Sequence, residues 1–299
     1  AEVDFIKFQL YTGDGLVNPL ESASRNEHFK KFELSQENHL ELAKLCKKNL
    51  VGYAASVWQE DFFPWINDYL DFYKIGSGDL TAYSILKKIA GIGKPILLST
   101  GLATESEVIE SVKFIQKINP DYTKEGRLAL LQCTSMYPIN HSDAHLNVMD
   151  TLRKITNLSH IGYSDHTIGI EVPMGAVALG SSVIEKHFTL DNTKIGMDNQ
   201  MASMPSDFSK MVNSCNIVNS SLGIHSRTLS AEEKNQRESM RRSIVSAKFI
   251  PSGKLITKED LAFKRPGDGI PPTDISKIID SKTKKDIEED QIIYYSDFI

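Results

Sequence analysis

The chain has 299 residues, of which 40% are hydrophobic and 24% charged, a composition typical of a soluble globular protein. Its 34 basic and 39 acidic residues give a net charge of −5 with both signs interspersed, which predicts neither a nucleic-acid groove nor a polybasic membrane anchor. No apolar stretch approaches the ~20 residues of a membrane span, and three well-separated cysteines favour a reducing cytoplasm over a disulfide framework. We therefore expect a cytoplasmic protein whose partner is a small molecule or another subunit.

Short apolar runs rich in β-branched residues recur along the chain, and each precedes a stretch with helical periodicity. The predicted strands are residues 3–9, 51–58, 72–78, 95–101, 128–134, 160–166 and 182–188. The predicted helices are residues 35–49, 61–70, 82–90, 104–118, 147–156, 170–180 and 205–221. Ser35 with Asn38, and Thr104 with Glu107, have the spacing of helix N-caps. The pattern indicates seven β-α units.

Apolar strands alternating with helices predict a parallel sheet covered on both faces, which is either an open sheet or a closed (β/α)8 TIM barrel. Six of the seven runs end in polar side chains, and this favours the barrel, in which every strand reaches one mouth. These side chains are Lys7 and Gln9, Lys74 and Ser77, Ser99 and Thr100, Thr134 and Ser135, Ser164 to His166, and Glu185 and His187. Because such a barrel has eight strands, we expect its first β-α unit to lie upstream of Ala1.

The amino-acid composition of the chain changes after the last predicted helix. Residues 1–222 are predicted to form the barrel, and the polar, charged residues 223–240 form a linker or a lone surface helix. Residues 241–299 contain short β-type runs between Gly and Pro turns and predict a small second domain. Within it, residues 247–261 and 284–298 echo one another as strand, turn, strand and short acidic helix.

Two histidines follow neighbouring predicted strands. Side chains two apart in a strand point the same way, so Glu185 and His187 share a face, and His166 ends the preceding strand. If these strand ends meet at the barrel mouth, two neutral imidazoles there would suit a divalent metal with open coordination positions. The alternative is that each is a hydrogen-bonded core or rim histidine.

Two lysines end strands that should otherwise be buried. An unpaired buried ammonium is costly, so Lys7 and Lys74 predict a phosphate or carboxylate site, to which Ser77, Ser99 and Ser164 could add hydroxyl donors. The alternative is ion pairing, for example of Lys7 with Glu185.

Eight motifs, in order, resemble those of the sialic acid synthases. They are "KFQ", "KIGSGD", "LLSTGLAT", "LQCTSMYP", "GYSDHTIG", "IEKHFTLD", "GMDNQMAS" and "KRPGDGI". These enzymes join phosphoenolpyruvate to an N-acyl hexosamine, giving a nine-carbon 2-keto acid and phosphate. The resemblance implies a TIM barrel, here without its first β-α unit, followed by a small β-clip, antifreeze-like (SAF) domain.

The resemblance also implies a role for each matching residue. His166 and His187 would bind a divalent metal, Mn2+ or Mg2+, and would act with Glu185 in catalysis. Phosphoenolpyruvate would lie among Lys7, Lys74, Ser77, Ser99, Ser135, Ser164 and Glu185. Gln9, Tyr137 and Asp198 would face the amino sugar, and Arg265 would reach the sugar in the partner's barrel, so that a domain-swapped homodimer completes the site.

Four alternatives remain open at the level of sequence. The same chemistry on a related sugar would make the chain a legionaminic or pseudaminic acid synthase, or a 9-phosphate synthase acting on a 6-phosphorylated hexosamine. More distantly, the chain could be a noncatalytic binding protein that kept the barrel.

Overall fold

The computed structural model describes residues 2–196 and 198–299, so Ala1 and Met197, which is part of the predicted "GMDNQMAS" motif, lie outside the described residues. The chain divides into two compact units, residues 1–223 and residues 224–299. Each is described by itself.

The first unit is built on a curled, TIM-like parallel sheet with the strand order β1-β2-β3-β4-β5-β6-β7. The strands are β1 (Phe5–Leu10), β2 (Gly52–Val57), β3 (Tyr73–Ile75), β4 (Ile96–Ser99), β5 (Leu128–Cys133), β6 (Ile161–Asp165) and β7 (Ile184–Lys186). All six pairings between neighbours are parallel, and β1 and β7 form the edges of the sheet within the described part of the chain. The predicted α/β class with a parallel, barrel-like sheet is confirmed.

Helices connect successive strands and cover the outside of the sheet. They are α1 (Gly13–Leu16), α2 (Ala23–Lys30), α3 (Gln36–Lys48), α4 (Phe63–Ile66), α5 (Tyr83–Ile92), α6 (Glu105–Ile118), α7 (Val148–Thr156), α8 (Glu171–Ala178) and α9 (Pro205–Ser221). Both predicted capping boxes are present, because the Ser35 and Thr104 hydroxyls accept the backbone N–H groups of Asn38 and Glu107. Apolar faces of α5 and α6 pack onto the strands through fully buried side chains such as Leu86, Ile89 and Ile115.

Two helix predictions were wrong in detail. The helix predicted over 61–70 is three short pieces: a 3₁₀ turn (Glu60–Phe62), α4 and a second 3₁₀ turn (Asn67–Tyr69). Sequence reasoning also missed α1 and α2 between β1 and α3. Helix α2 has no apolar stripe, since only Asn26 and Phe29 are buried in it. Its sequence therefore lacks the helical hydrophobic periodicity from which the other helices were predicted.

The second unit begins with helix α10 (Ala231–Met240), which is polar, has no buried residue and is capped by Ser230. It continues into an antiparallel pair, β8 (Ser243–Ser246) and β9 (Leu261–Lys264). Its core is a small cluster of buried hydrophobic side chains: Ile244, Ile250, Ile256, Leu261, Ile270, Ile278, Ile287, Ile293 and Phe298.

The internal echo predicted for the second unit is confirmed for its short acidic helices, whereas its predicted strands are only isolated β-bridges, such as those of Ile250 and Ile287. Its two acidic helices are short 3₁₀ turns, Lys258–Asp260 and Tyr295–Asp297, and each has a capping box. Both turns end in a buried aspartate that is paired with a lysine: Asp260 with Lys254 at 2.6 Å, and Asp297 with Lys285 at 2.9 Å.

Candidate functional site

Twelve of the thirteen predicted site residues line one cavity of about 2460 Å3 in the first unit. Most of them reach it because parallel strands end at one edge of the sheet and alternate side chains face the same way, whereas Tyr137 and Asp198 reach it on the segments that follow β5 and β7. These residues are Lys7, Gln9, Lys74, Ser77, Ser99, Ser135, Tyr137, Ser164, His166, Glu185, His187 and Asp198. The thirteenth, Arg265, is an exposed residue of the second unit.

A carboxylate held by two lysines lies at the centre of this group. Glu185 accepts from Lys7 Nζ at 2.8 Å through Oε1, and from Lys74 Nζ at 3.4 Å and Ser164 Oγ at 2.7 Å through Oε2. Burial by itself would raise the pKa of Glu185, but the charges of Lys7 and Lys74 outweigh it and hold the pKa far below its usual range. The predicted ion pair of Lys7 with Glu185 is therefore present, and a second lysine joins it.

The cluster retains a net positive charge, since two ammonium groups face one carboxylate. The Lys74 side chain is only 4% exposed, and burial lowers its pKa while Glu185 opposes that shift. Its other polar contact is the Ile75 carbonyl at 3.2 Å. An anion entering this cavity would meet a cation that water does not screen.

Hydroxyl groups surround the same part of the cavity. Ser99 Oγ is buried and has no hydrogen-bond partner among the described residues, so it is free to donate to a ligand. A side chain at Gly101 would come within 2.2 Å of Ser135 Oγ and 2.8 Å of Ser77 Oγ. Glycine at this position leaves room for both hydroxyl groups beside it. A multiply charged, oxygen-rich anion such as a phosphate ester fits lysines and hydroxyls in this arrangement.

The two histidines lie side by side, with ring centroids 5.2 Å apart. The Nδ1 atom of His166 donates to the Thr134 carbonyl at 2.7 Å, and Nδ1 of His187 lies 3.5 Å from Asp198 Oδ2. The hydrogen bond at Nδ1 of His166 leaves Nε2 of that ring available as a ligand, which is the usual arrangement of metal-binding histidines. Burial, with the charges of Lys7 and His166, lowers the pKa of His187 to about 3, so its ring is neutral as metal binding requires.

This donor set fits a divalent ion that has only two protein ligands. No group of three or more His, Cys, Asp and Glu side chains suited to a metal occurs within residues 2–196 and 198–299. Water and substrate oxygens would have to complete the coordination. Imidazole nitrogen with oxygen ligands suits first-row divalent ions.

Two further side chains border the histidines. The ring of Tyr137 lies 4.1 Å from that of His166 and 5.7 Å from that of His187, and burial raises its pKa to about 12, so its hydroxyl remains a donor. Cys133 Sγ lies 4.0 Å from His166 Nδ1; burial raises the pKa of this thiol, but attraction to His166 gives a net lowering.

Asp198 reaches the site on an excursion that follows β7. The excursion closes on itself, because Ser203 N donates to the His187 carbonyl at 2.9 Å and Thr189 N donates to the Ser203 carbonyl at 3.0 Å. Burial raises the pKa of the Asp198 carboxyl, and the charges of His166 and Lys7 oppose this rise. This closed excursion therefore presents a polar, partly buried carboxyl beside the histidine pair.

Sequence reasoning missed a buried ion pair behind the site. Lys186 Nζ lies 2.5 Å from Asp165 Oδ2, and the two side chains are 1% and 0% exposed. The only signal was that a lysine and an aspartate each stand next to a candidate metal ligand, at positions that pair only if the strand register is known.

In enzymes with a TIM-like fold the active site lies at the carboxyl ends of the strands, where this cavity lies, and comparison with known proteins assigns the chain to one enzyme family. The model described as "NeuB family" matches residues 1–227, and the SAF domain model matches residues 241–299. The chain belongs to the NeuB family, whose named members are sialic, legionaminic and pseudaminic acid synthases. Membership in this enzyme family speaks against the noncatalytic alternative.

Two curated relatives and one solved structure illustrate the likeness. The N,N'-diacetyllegionaminic acid synthase of Legionella pneumophila is 34% identical over 93% of this chain and 82% of its own length. The N-acetylneuraminate-9-phosphate synthase of Homo sapiens is 31% identical over 89% of this chain and 73% of its own. The crystal structure of sialic acid synthetase from Leptospira borgpetersenii aligns with a TM-score of 0.72 and 29% identity, covering 79% of this chain and 80% of that one. Among the described residues, no helix has the length and apolar character needed to cross a membrane.

Proposed function

We propose that the chain condenses phosphoenolpyruvate with an N-acyl hexosamine of the N-acetylmannosamine type, producing a nine-carbon 2-keto sugar acid and releasing phosphate. The observation that carries this function is the meeting of the lysine-held Glu185 with the His166–His187 pair in one cavity. One half of the site suits an anionic ester and the other suits a carbonyl compound. The names of the relatives, all synthases of such acids, support the same product class.

Phosphoenolpyruvate would bind at the lysine and serine end. Lys74 and Lys7 would contact its negatively charged oxygens, and the unpaired hydroxyl of Ser99 would donate to one of them. Ser77, Ser135 and Ser164 line the same wall and could supply further donors. Binding here would direct the enol carbon toward the histidine pair.

The sugar would bind at the histidine end as the open-chain aldehyde. His166 and His187 would hold a divalent metal, Mn2+ or Mg2+, which when bound supplies Lewis-acid polarisation of a carbonyl oxygen. Asp198, Gln9 and Tyr137 would hydrogen-bond the sugar's hydroxyl and acyl groups. Arg265 would contribute from the partner subunit of a swapped homodimer, in the reducing cytoplasm that three free thiols suit.

In the reaction, the methylene carbon of phosphoenolpyruvate forms a bond to the aldehyde carbon, whose oxygen takes up a proton and becomes a hydroxyl. Positive charge develops at the enol carbon that carries the phosphate, and water adds there with loss of one proton, which balances the proton taken up by the aldehyde oxygen. The resulting intermediate collapses to the ketone as the bond between that carbon and the phosphate oxygen breaks, and phosphate leaves with the electron pair. Because its pKa is so low, Glu185 is a weak base, so its carboxylate serves to stabilise the positive charge rather than to remove a proton.

The deciding experiment measures phosphate release from phosphoenolpyruvate with Mn2+ and a panel of N-acyl hexosamines. We expect release that needs both substrates, is abolished by His187→Ala and His166→Ala, and is unchanged by His160→Ala. His160 is the matched control, since it precedes the other end of the same strand β6. Full metal-dependent turnover in His187→Ala would refute the metal assignment.

The same panel separates the related products. The 34% identity to a legionaminic acid synthase and the 31% identity to a 9-phosphate synthase support including 2,4-diacetamido sugars and a 6-phosphorylated hexosamine in the panel. The sugar with the highest kcat/KM identifies the product.

A further inference from the structure

We infer that the buried pair Asp165–Lys186 is a positioning device that fixes His166 and His187 as a metal-binding pair. This role rests on the proposed function, since it concerns the metal site named there. In the strand alternation, Ser164 and His166 face the cavity while Asp165 points to the other side of the sheet. Lys186 borders the cavity, but its side chain is only 1% exposed because its ammonium group is turned to Asp165.

The hydrogen bonds of Lys186 span the residues on both sides of His166. Its Nζ donates to Asp165 Oδ2 at 2.5 Å and to the Thr167 carbonyl at 2.6 Å. Asp165 Oδ1 in turn accepts the Thr167 backbone N–H at 3.0 Å and the Thr167 hydroxyl at 2.9 Å. The backbone on either side of the His166 ring is therefore tied to a single ammonium group.

The same ammonium belongs to the residue between Glu185 and His187. Asp165 and Lys186 are direct partners in the β6–β7 register, and Ser164 pairs with Glu185 in the preceding step. A slip of one residue would turn Glu185 and His187 away from the cavity. The pair therefore fixes both the register of β7 and the direction in which His166 leaves β6.

The energetic cost of burying Asp165 and Lys186 also favours a role in positioning the histidines over a role in stability. Burying two charges costs more than burying two apolar side chains of similar volume, so a buried ion pair is a poor device for stability alone. Two apolar side chains could fill this space, but they could not bind the Thr167 carbonyl or select one register. The directional hydrogen bonds are what the ion pair adds.

The test compares Mn2+ affinity, read from the electron paramagnetic resonance of free Mn2+ without substrates, with thermal stability. Lys186→Met should weaken Mn2+ binding roughly 10-fold or more, the range seen when hydrogen-bond partners of metal ligands are removed. Lys94→Met is the control: Lys94 is a partly buried lysine that, like Lys186, makes two hydrogen bonds within the protein, here to the carbonyls of Asn67 and Leu70, but it does not line the cavity. It should lower the melting temperature and leave Mn2+ affinity unchanged.

The double variant Asp165→Leu/Lys186→Met separates positioning from stability, because it removes both charges together. We expect it to recover most of the melting temperature while Mn2+ affinity stays low. Wild-type affinity in the double variant would overturn the positioning role and leave the proposed metal site intact. A wild-type chain without Mn2+ affinity would instead refute the metal site, and the positioning role with it.

A milder substitution covers the case in which the double variant does not fold. Thr167→Val removes only the two hydroxyl contacts to Asp165 at nearly constant volume. It should weaken Mn2+ binding several-fold with a small change in melting temperature. Unchanged Mn2+ affinity in both Thr167→Val and Lys186→Met would overturn the positioning role.

Discussion

Replacing Glu185 by glutamine tests the electrostatics of the site most directly. The carboxamide keeps the shape but removes the charge that lies 2.8 Å from Lys7 Nζ and 3.4 Å from Lys74 Nζ. With an effective dielectric constant of about 20, these two attractions amount to roughly 6 and 5 kcal/mol before desolvation is counted. Removing one partner of a buried ion pair costs about 3–5 kcal/mol. Because Lys7 is partly exposed and can regain water, we expect a loss of about 3 kcal/mol in the free energy of unfolding.

The variant should also bind anions more tightly, since both ammonium groups lose their carboxylate. A 10-fold gain in affinity for inorganic phosphate corresponds to about 1.4 kcal/mol. In a domain of this size that is roughly 3–5 °C of additional stabilisation at saturating phosphate. We therefore expect a larger phosphate-induced rise in melting temperature for Glu185→Gln than for wild type, with a greatly reduced kcat and an unchanged or lower KM for phosphoenolpyruvate.

Differential scanning fluorimetry across a phosphate titration measures this response. Glu60→Gln is the matched control, because Glu60 forms an exposed pair with Lys88 at 3.8 Å, which contributes little to stability. If phosphate raised the melting temperature of Glu185→Gln no more than that of wild type, Lys7 and Lys74 would not form the anion site.

Three further predictions concern single side chains. Ser99→Ala removes a buried hydroxyl without a partner among the described residues, so melting temperature should hold or rise while KM for phosphoenolpyruvate increases; an unchanged KM would remove Ser99 from the site. Gly101→Ala places a methyl group 2.2 Å from Ser135 Oγ, so that hydroxyl must move, and the KM for phosphoenolpyruvate should rise about 10-fold or more. A wild-type KM in steady-state kinetics would show that phosphoenolpyruvate binding does not depend on the position of Ser135. Burial lowers the pKa of His39 from 6.5 to about 4, so its neutral ring favours the fold above pH 6.5 and this contribution is lost as pH falls toward 4. Urea unfolding at pH 7 and pH 5 should show wild type losing about 2 kcal/mol more than His39→Gln, and equal losses would contradict the assignment.

The strands and most of the site were predictable because both depend on local periodicity. Apolar runs defined all seven strands to within a few residues, and α9 lies at its predicted position, Pro205–Ser221. Strand alternation placed Glu185 and His187 together, and parallel strands necessarily end at one edge. The residues at the strand ends follow from these two rules, whereas Tyr137 and Asp198 were assigned to the site by the family resemblance alone.

The features that sequence reasoning missed depend on pairing across the structure. Helix α2 buries one asparagine and one phenylalanine and carries no periodic signal. The Asp165–Lys186 pair becomes visible only when the β6–β7 register is known. Ser99 has a buried hydroxyl with no partner among the described residues, and this too depends on the positions of its neighbours in the fold, which no local sequence pattern encodes.

The segment after β7 that closes on itself holds its site residue independently of the sheet. The lysines, Glu185 and both histidines are fixed by the sheet, whereas Asp198 stands on a segment whose ends are joined by their own backbone hydrogen bonds at His187 and Thr189. Such a segment can be substituted while the strands keep their positions. If Asp198 faces the sugar as proposed, substitutions inside this segment should change the choice of sugar and leave phosphoenolpyruvate binding unchanged.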